Sequence, residues 1–203
     1  MAEVENFLKI TGLLGGLLLC IVLLIGCGSA ENRASADNNT KSGEKMPYYG
    51  EVQSGNGRFQ IKTEQMIARL GEMLVKEGYP KISDCEKATD SGQIEGIGEF
   101  EKLIYNLGEG LRLNLKSSVE DGKLFDIQYI VNTDTWTEES KKMYTMCLGL
   151  TIKTFDPDLY DSIVNDLGLT DSKTIVTKVK QGKNGDYTYI VKKGTLSLDI
   201  QAK

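Results

Sequence analysis

With no histidine in 203 residues, proton transfer near neutral pH falls to carboxylates. The same absence excludes a Ser-His-Asp triad, a Cys-His dyad and any imidazole-ligated metal. Two sets of acids could in principle do acid/base work of the kind two carboxylates perform on a glycosidic bond, although nothing in the sequence shows any two converging in a pocket. One is Glu95, Glu99 and Glu101; the other is Asp126 with Asp134. A third set, Asp156, Asp158 and Asp161 in DPDLYDS, offers oxygen ligands. It lacks the glycine turn and late glutamate of a calcium loop, and acids beside a proline at a helix start complement the helix dipole. The expectation is therefore no metal and no cofactor.

Other motifs are weaker. Gly92-Gln93-Ile94-Glu95-Gly96-Ile97-Gly98 is glycine-rich but lacks the strand–GxGxxG–helix context of a dinucleotide site, and reads as a loop or bulged strand. The Ser-x-x-Lys pattern occurs at Ser42 to Lys45, in a polar stretch ahead of the domain. Arg112, Asn114, Lys116, Asp126 and Gln128 occupy wet positions of two strands and form a candidate recognition face, or an ordinary solvated one. Trp136 is expected beside a helix, and Tyr48-Tyr49 where the chain enters the domain. Cys85 and Cys147 are free thiols or one bridge; spacing alone leaves both open. A net charge of -5 argues against a nucleic-acid partner.

The elements that must position these residues follow from hydrophobic period. Helices are predicted over 63–77, 138–154 and 157–167, with Thr63 and Asp156 as N-caps and Gly78 and Gly168 as terminators. Period-2 alternation at Leu111/Leu113/Leu115, Phe125/Ile127/Tyr129/Val131, Tyr187/Tyr189/Val191 and Leu196/Leu198/Ile200 predicts antiparallel strands with one wet face. Further strands are predicted at 59–61, 82–87, 99–106 and 174–180. The result is an α+β fold: an antiparallel sheet of about five to seven strands with three helices on one face.

Register can be specified further. A three-residue loop, Glu120 to Gly122, pairs Leu115 with Ile127, Leu113 with Tyr129 and Leu111 with Val131 on one buried face. Gly122 then takes the left-handed position of a G1 bulge. A two-residue turn at Lys193-Gly194 pairs Val191 with Leu196, Tyr189 with Leu198 and Tyr187 with Ile200.

Ahead of the domain, Ile10 to Ile25 is a run of sixteen uncharged residues, and its last two open the tetrapeptide Leu24-Ile25-Gly26-Cys27. That tetrapeptide resembles the lipobox of bacterial lipoproteins. The resemblance implies cleavage between Gly26 and Cys27, acylation of Cys27, and loss of Cys20 with the leader. Residues 28–45 are polar and glycine-containing, a tether with a span of roughly 23 Å. The n-region departs from the usual pattern, with Glu3 and Glu5 against Lys9. The organisation implied is a signal peptide over 1–26, a lipidated tether over 27–45 and one domain over 46–203. The function class expected is a lipid-anchored extracytoplasmic binding module with a protein or envelope partner, on a Gram-positive membrane rather than an outer membrane. The alternative is a small carboxylate-dependent hydrolase of an envelope polymer.

Overall fold

The computed structural model describes residues 50–169 and 174–203. Cys27, Gly26, the tether and Tyr48-Tyr49 lie outside them. Residues Pro47–Lys203 form one compact unit. Among the described residues no helix is long and apolar enough to cross a membrane.

A short hairpin, β1 (Ser54–Gly55) and β2 (Arg58–Phe59), precedes helix α1 (Thr63–Lys76). Four strands follow as a meander: β3 (Lys87–Ile94), β4 (Gly98–Gly108), β5 (Leu111–Ser118) and β6 (Leu124–Asn132). Helices α2 (Glu138–Phe155) and α3 (Tyr160–Leu167) come next, then β7 (Val176–Gln181), β8 (Gly185–Lys192) and β9 (Thr195–Ala202). The seven-stranded sheet is antiparallel throughout, in the order β3-β4-β5-β6-β9-β8-β7. The α+β reading holds, with helices packed against the sheet.

The core lies between the sheet and the helices because alternate strand residues are apolar. Leu113, Tyr129, Leu198 and Tyr189 face it in one cross-strand row and are fully buried. Met66, Leu70 and Leu74 of α1, and Cys147, Ile152 and Phe155 of α2, close it from above. Each fully buried leucine contributes about 1.5–3 kcal/mol over an exposed one. Tyr129 Oη sits 2.8 Å from Thr151 Oγ1, so this hydroxyl is satisfied inside the core.

Register agrees with expectation at every named pair of β5 with β6 and of β8 with β9. The device differs at one point. The β5–β6 loop holds four residues, Val119 to Gly122, with the Ser118 N–H donating to Lys123 O. The one-residue shift comes instead from a bulge at Phe125, because Ser117 pairs with Leu124 while Lys116 pairs with Asp126. Leu124 takes the core position, and Phe125 meets Phe100 edge-on at 6.0 Å. Gly122 does adopt positive φ, +69°.

Three local expectations are corrected. Ile82–Asp84 is a 3-10 turn and β3 begins only at Lys87, since nothing across 87–93 is buried to set a period. The N-cap of α1 is Lys62; its N–H is capped by Gln65 Oε1 at 2.9 Å, while Thr63 is buried in the first turn. Asp156 does not cap the third helix, whose first turn is the 3-10 segment Pro157–Leu159. Its carboxylate turns to the β7–β8 connection instead. Asp156 Oδ1 accepts from the N–H of Lys183 (2.7 Å) and Asn184 (2.9 Å). Its Oδ2 accepts from Gly185 N–H (3.2 Å) and Tyr187 Oη–H (2.8 Å).

Candidate functional site: a polar grid on the sheet face opposite the core

Side chains of opposite parity to the core line the other face of the sheet. Ile104, Ile130 and Ile190 of that face are half-buried and lie outside the core cluster of the described residues. Two cross-strand rows are polar. Lys116, Asp126, Gln201 and Asp186 form one; Asn114, Gln128, Asp199 and Thr188 form the next. The expected recognition residues Asn114, Lys116, Asp126 and Gln128 are thus neighbours, and Arg112 extends the face as an exposed side chain.

Two of these polar residues are buried: Asn114 is 3% exposed and Asp126 4%. The bulge at Phe125 contributes, since it sets an aromatic pair, Phe100 and Phe125, at one end of the face. Asn114 Nδ2 donates to Gln128 Oε1 at 2.9 Å, and Lys116 Nζ to Asp126 Oδ2 at 2.6 Å.

Asp199 completes the cluster from β9. It stands diagonally across the β6–β9 seam from Asp126. Burial lifts the Asp199 carboxyl to about 7; the Asp126 charge adds to the rise, while Lys116 and Gln201 oppose it. Neither Asp126 Oδ1 nor Asp199 Oδ1 receives a hydrogen bond from an N–H or hydroxyl.

The other acid sets do not converge. Asp134 lies beyond the far end of β6, where its Oδ2 would stand 2.7 Å from a Cβ placed on Gly194. Glu95, Glu99 and Glu101 are exposed at the β3–β4 hairpin. The Gly92–Gly98 segment is β3, a turn and the start of β4; Gly92 leaves room for the Phe100 ring, which a Cβ would meet at 2.7 Å. Asp156 is consumed by the β7–β8 connection, and Asp158 and Asp161 are exposed. Among the described residues no group of three or more Cys, Asp or Glu side chains is placed to hold a metal ion. Cys85 and Cys147 are both free thiols. Trp136 packs against Tyr144 of α2, with ring centroids 6.3 Å apart, and Lys141 Nζ lies 5.3 Å from its ring.

Asp199 was not legible as a site residue. Between Leu198 and Ile200 it reads as one more wet position, and its partner Asp126 belongs to a strand distant in sequence. No family model, curated protein or solved structure matches the chain.

Proposed function

We propose that the chain is an extracytoplasmic lipoprotein, cleaved after Gly26 and acylated on Cys27. Its domain serves as a non-catalytic binding module for a protein or envelope component. The lipobox-like Leu24–Cys27 and the polar stretch after it support the anchoring. The binding reading rests on this polar grid. Buried Asn114 and Asp126, with half-buried Asp199 beside Asp126, are costly on a face that only has to meet water.

The hydrolase reading is the weaker one. Glycoside hydrolysis needs its two carboxyls about 5–9.5 Å apart, to admit sugar or water between them. Among the described residues the expected acid sets do not converge, and Asp126, which has Asp199 beside it, has one oxygen occupied by Lys116 Nζ at 2.6 Å.

Two measurements test the proposal. Mass spectrometry of the full chain from native membranes should find an acylated Cys27 at the N-terminus; an intact leader refutes the anchoring. Cross-linking in the same membranes, with a photoreactive residue at Arg112, should yield one discrete adduct. Lys116→Glu should abolish it. An adduct pattern that Lys116→Glu leaves unchanged refutes the grid as the binding face.

A further inference from the structure

The sheet has two open edges, and they differ. On β7 the edge carries Lys178 and Lys180, the charge that natural sheets use to refuse added strands, and α3 lies beside it, with Asp166 Oδ2 2.5 Å from Lys180 Nζ. On β3 there is no such cover. Seven of its eight residues are exposed, and it contributes nothing to the core cluster. It is held by the β4 ladder alone.

Backbone geometry identifies which β3 groups are open. Asn106 N–H donates to Glu86 O, and these residues stand opposite each other in the β3–β4 register. Antiparallel ladders alternate, so the even residues 88 to 94 direct their N–H and C=O groups at β4. On the other side of β4, Val119 N–H donates to Glu99 O, so odd β4 residues face β5 and even ones face β3, as the same alternation requires. The N–H groups of Lys87, Thr89, Ser91 and Gln93 therefore point away from the sheet. That of Ser91 is met by Asp90 Oδ1 at 2.9 Å.

Charge selects the partner. From Asp84 to Lys102 the hairpin carries six carboxylates against two lysines, nearly the whole net charge of the chain. Lys87 Nζ lies 6.0 Å from the Tyr105 ring, and Lys102 stands directly across from Asp90. The remaining acids are exposed around an open row of backbone donors and acceptors.

We propose that the β3 edge binds an extended basic segment of another protein, which adds to the sheet as an eighth strand. Main-chain hydrogen bonds supply affinity, and the carboxylates select lysine- or arginine-bearing sequences. The inference goes beyond the binding-module reading, since it needs neither the anchor nor the polar grid.

The test uses the full chain in detergent and a short capped peptide alternating lysine and threonine. Fluorescence anisotropy should show binding that weakens at least tenfold between about 50 and 300 mM salt. A glutamate-for-lysine peptide should not bind. Amide exchange should slow at Lys87, Thr89 and Gln93. Thr89→Pro removes one outward donor without touching the β4 ladder, and should cut affinity at least tenfold with the thermal midpoint held. Asp90→Lys should do the same through charge, and serves if the proline variant does not fold. Absence of binding, equal binding of the glutamate peptide, or binding indifferent to both variants overturns the proposal. So does sedimentation showing that a second copy of the chain already protects these amides.

Discussion

Asp199 stands diagonally across the β6–β9 seam from Asp126, on the sheet face opposite the core, and burial together with the neighbouring Asp126 charge lifts its carboxyl to about 7. A carboxyl lifted from 3.8 to about 7 by burial and by a neighbouring charge binds its proton more tightly folded than unfolded. The stability it contributes is complete below the unfolded value and is lost as pH rises through about 7. Urea midpoints should therefore fall from pH 5 to pH 8.5. Asp199→Asn should flatten that component, and an unchanged slope in the variant would remove the assignment.

The Asp156 carboxylate is the tie between the end of α2 and the β7–β8 connection. Asp156→Ala leaves three backbone N–H groups and the Tyr187 hydroxyl without their acceptor in a buried place. Orphaned buried donors cost about 1–3 kcal/mol each before relaxation. Chemical denaturation should show a loss of about 3–5 kcal/mol. Tyr187→Phe, which removes one bond of the four, should cost about 1–1.5 kcal/mol.

The thiols should differ in reactivity. Burial pushes Cys147 up to about 12, and it is fully enclosed; burial also raises Cys85, but that residue is only half-buried. Thiolate is the reacting form. Alkylation of the native protein, followed by mass spectrometry, should label Cys85 slowly and spare Cys147 until denaturant is added. Labelling of Cys147 at the Cys85 rate would mean that α2 opens on its own.

Gly110 occupies a position that only glycine fits. Its φ is +74°, and a Cβ there would stand 2.8 Å from Asn132 O and 2.9 Å from Trp136 N. Gly57 has a similar φ of +70° with nothing within 4 Å. Gly57→Ala should cost about 1–2 kcal/mol from left-handed strain alone. Gly110→Ala should cost more, because backbone must move. Equal thermal shifts for the two variants would show that the Asn132–Trp136 turn yields freely.

Legibility in the sequence followed burial. Leu111, Leu113 and Leu115 alternate because one face is core, and that same alternation fixed their partners on β6. β3 buries nothing, so its residues carry no period and its start was misplaced. The Phe125 bulge was invisible because a longer loop with an in-strand bulge yields the same later register as a shorter loop without one. Asp156 followed a strong local pattern, Asp-Pro at a helix start, and was overridden by partners at 183 to 187. Asp199 gave no signal because only its distant neighbours make it unusual.

The position of β9 governs the order in which the molecule can be assembled. It is the last strand of the sheet in the chain, yet it lies between β6 and β8 and pairs with both. A nascent chain ending at Gly194 holds a four-stranded meander and a hairpin with no strand to join them. Both would show unpaired edges, and Tyr129, Tyr189 and Val131 would lack the Leu196 and Leu198 contacts that seal their row. Joining the halves closes a loop of more than sixty residues, the slow kind of contact to form. Cooperative folding therefore waits for β9, the strand that joins the two halves. Truncation at Gly194 should accordingly leave a protein without a cooperative unfolding transition.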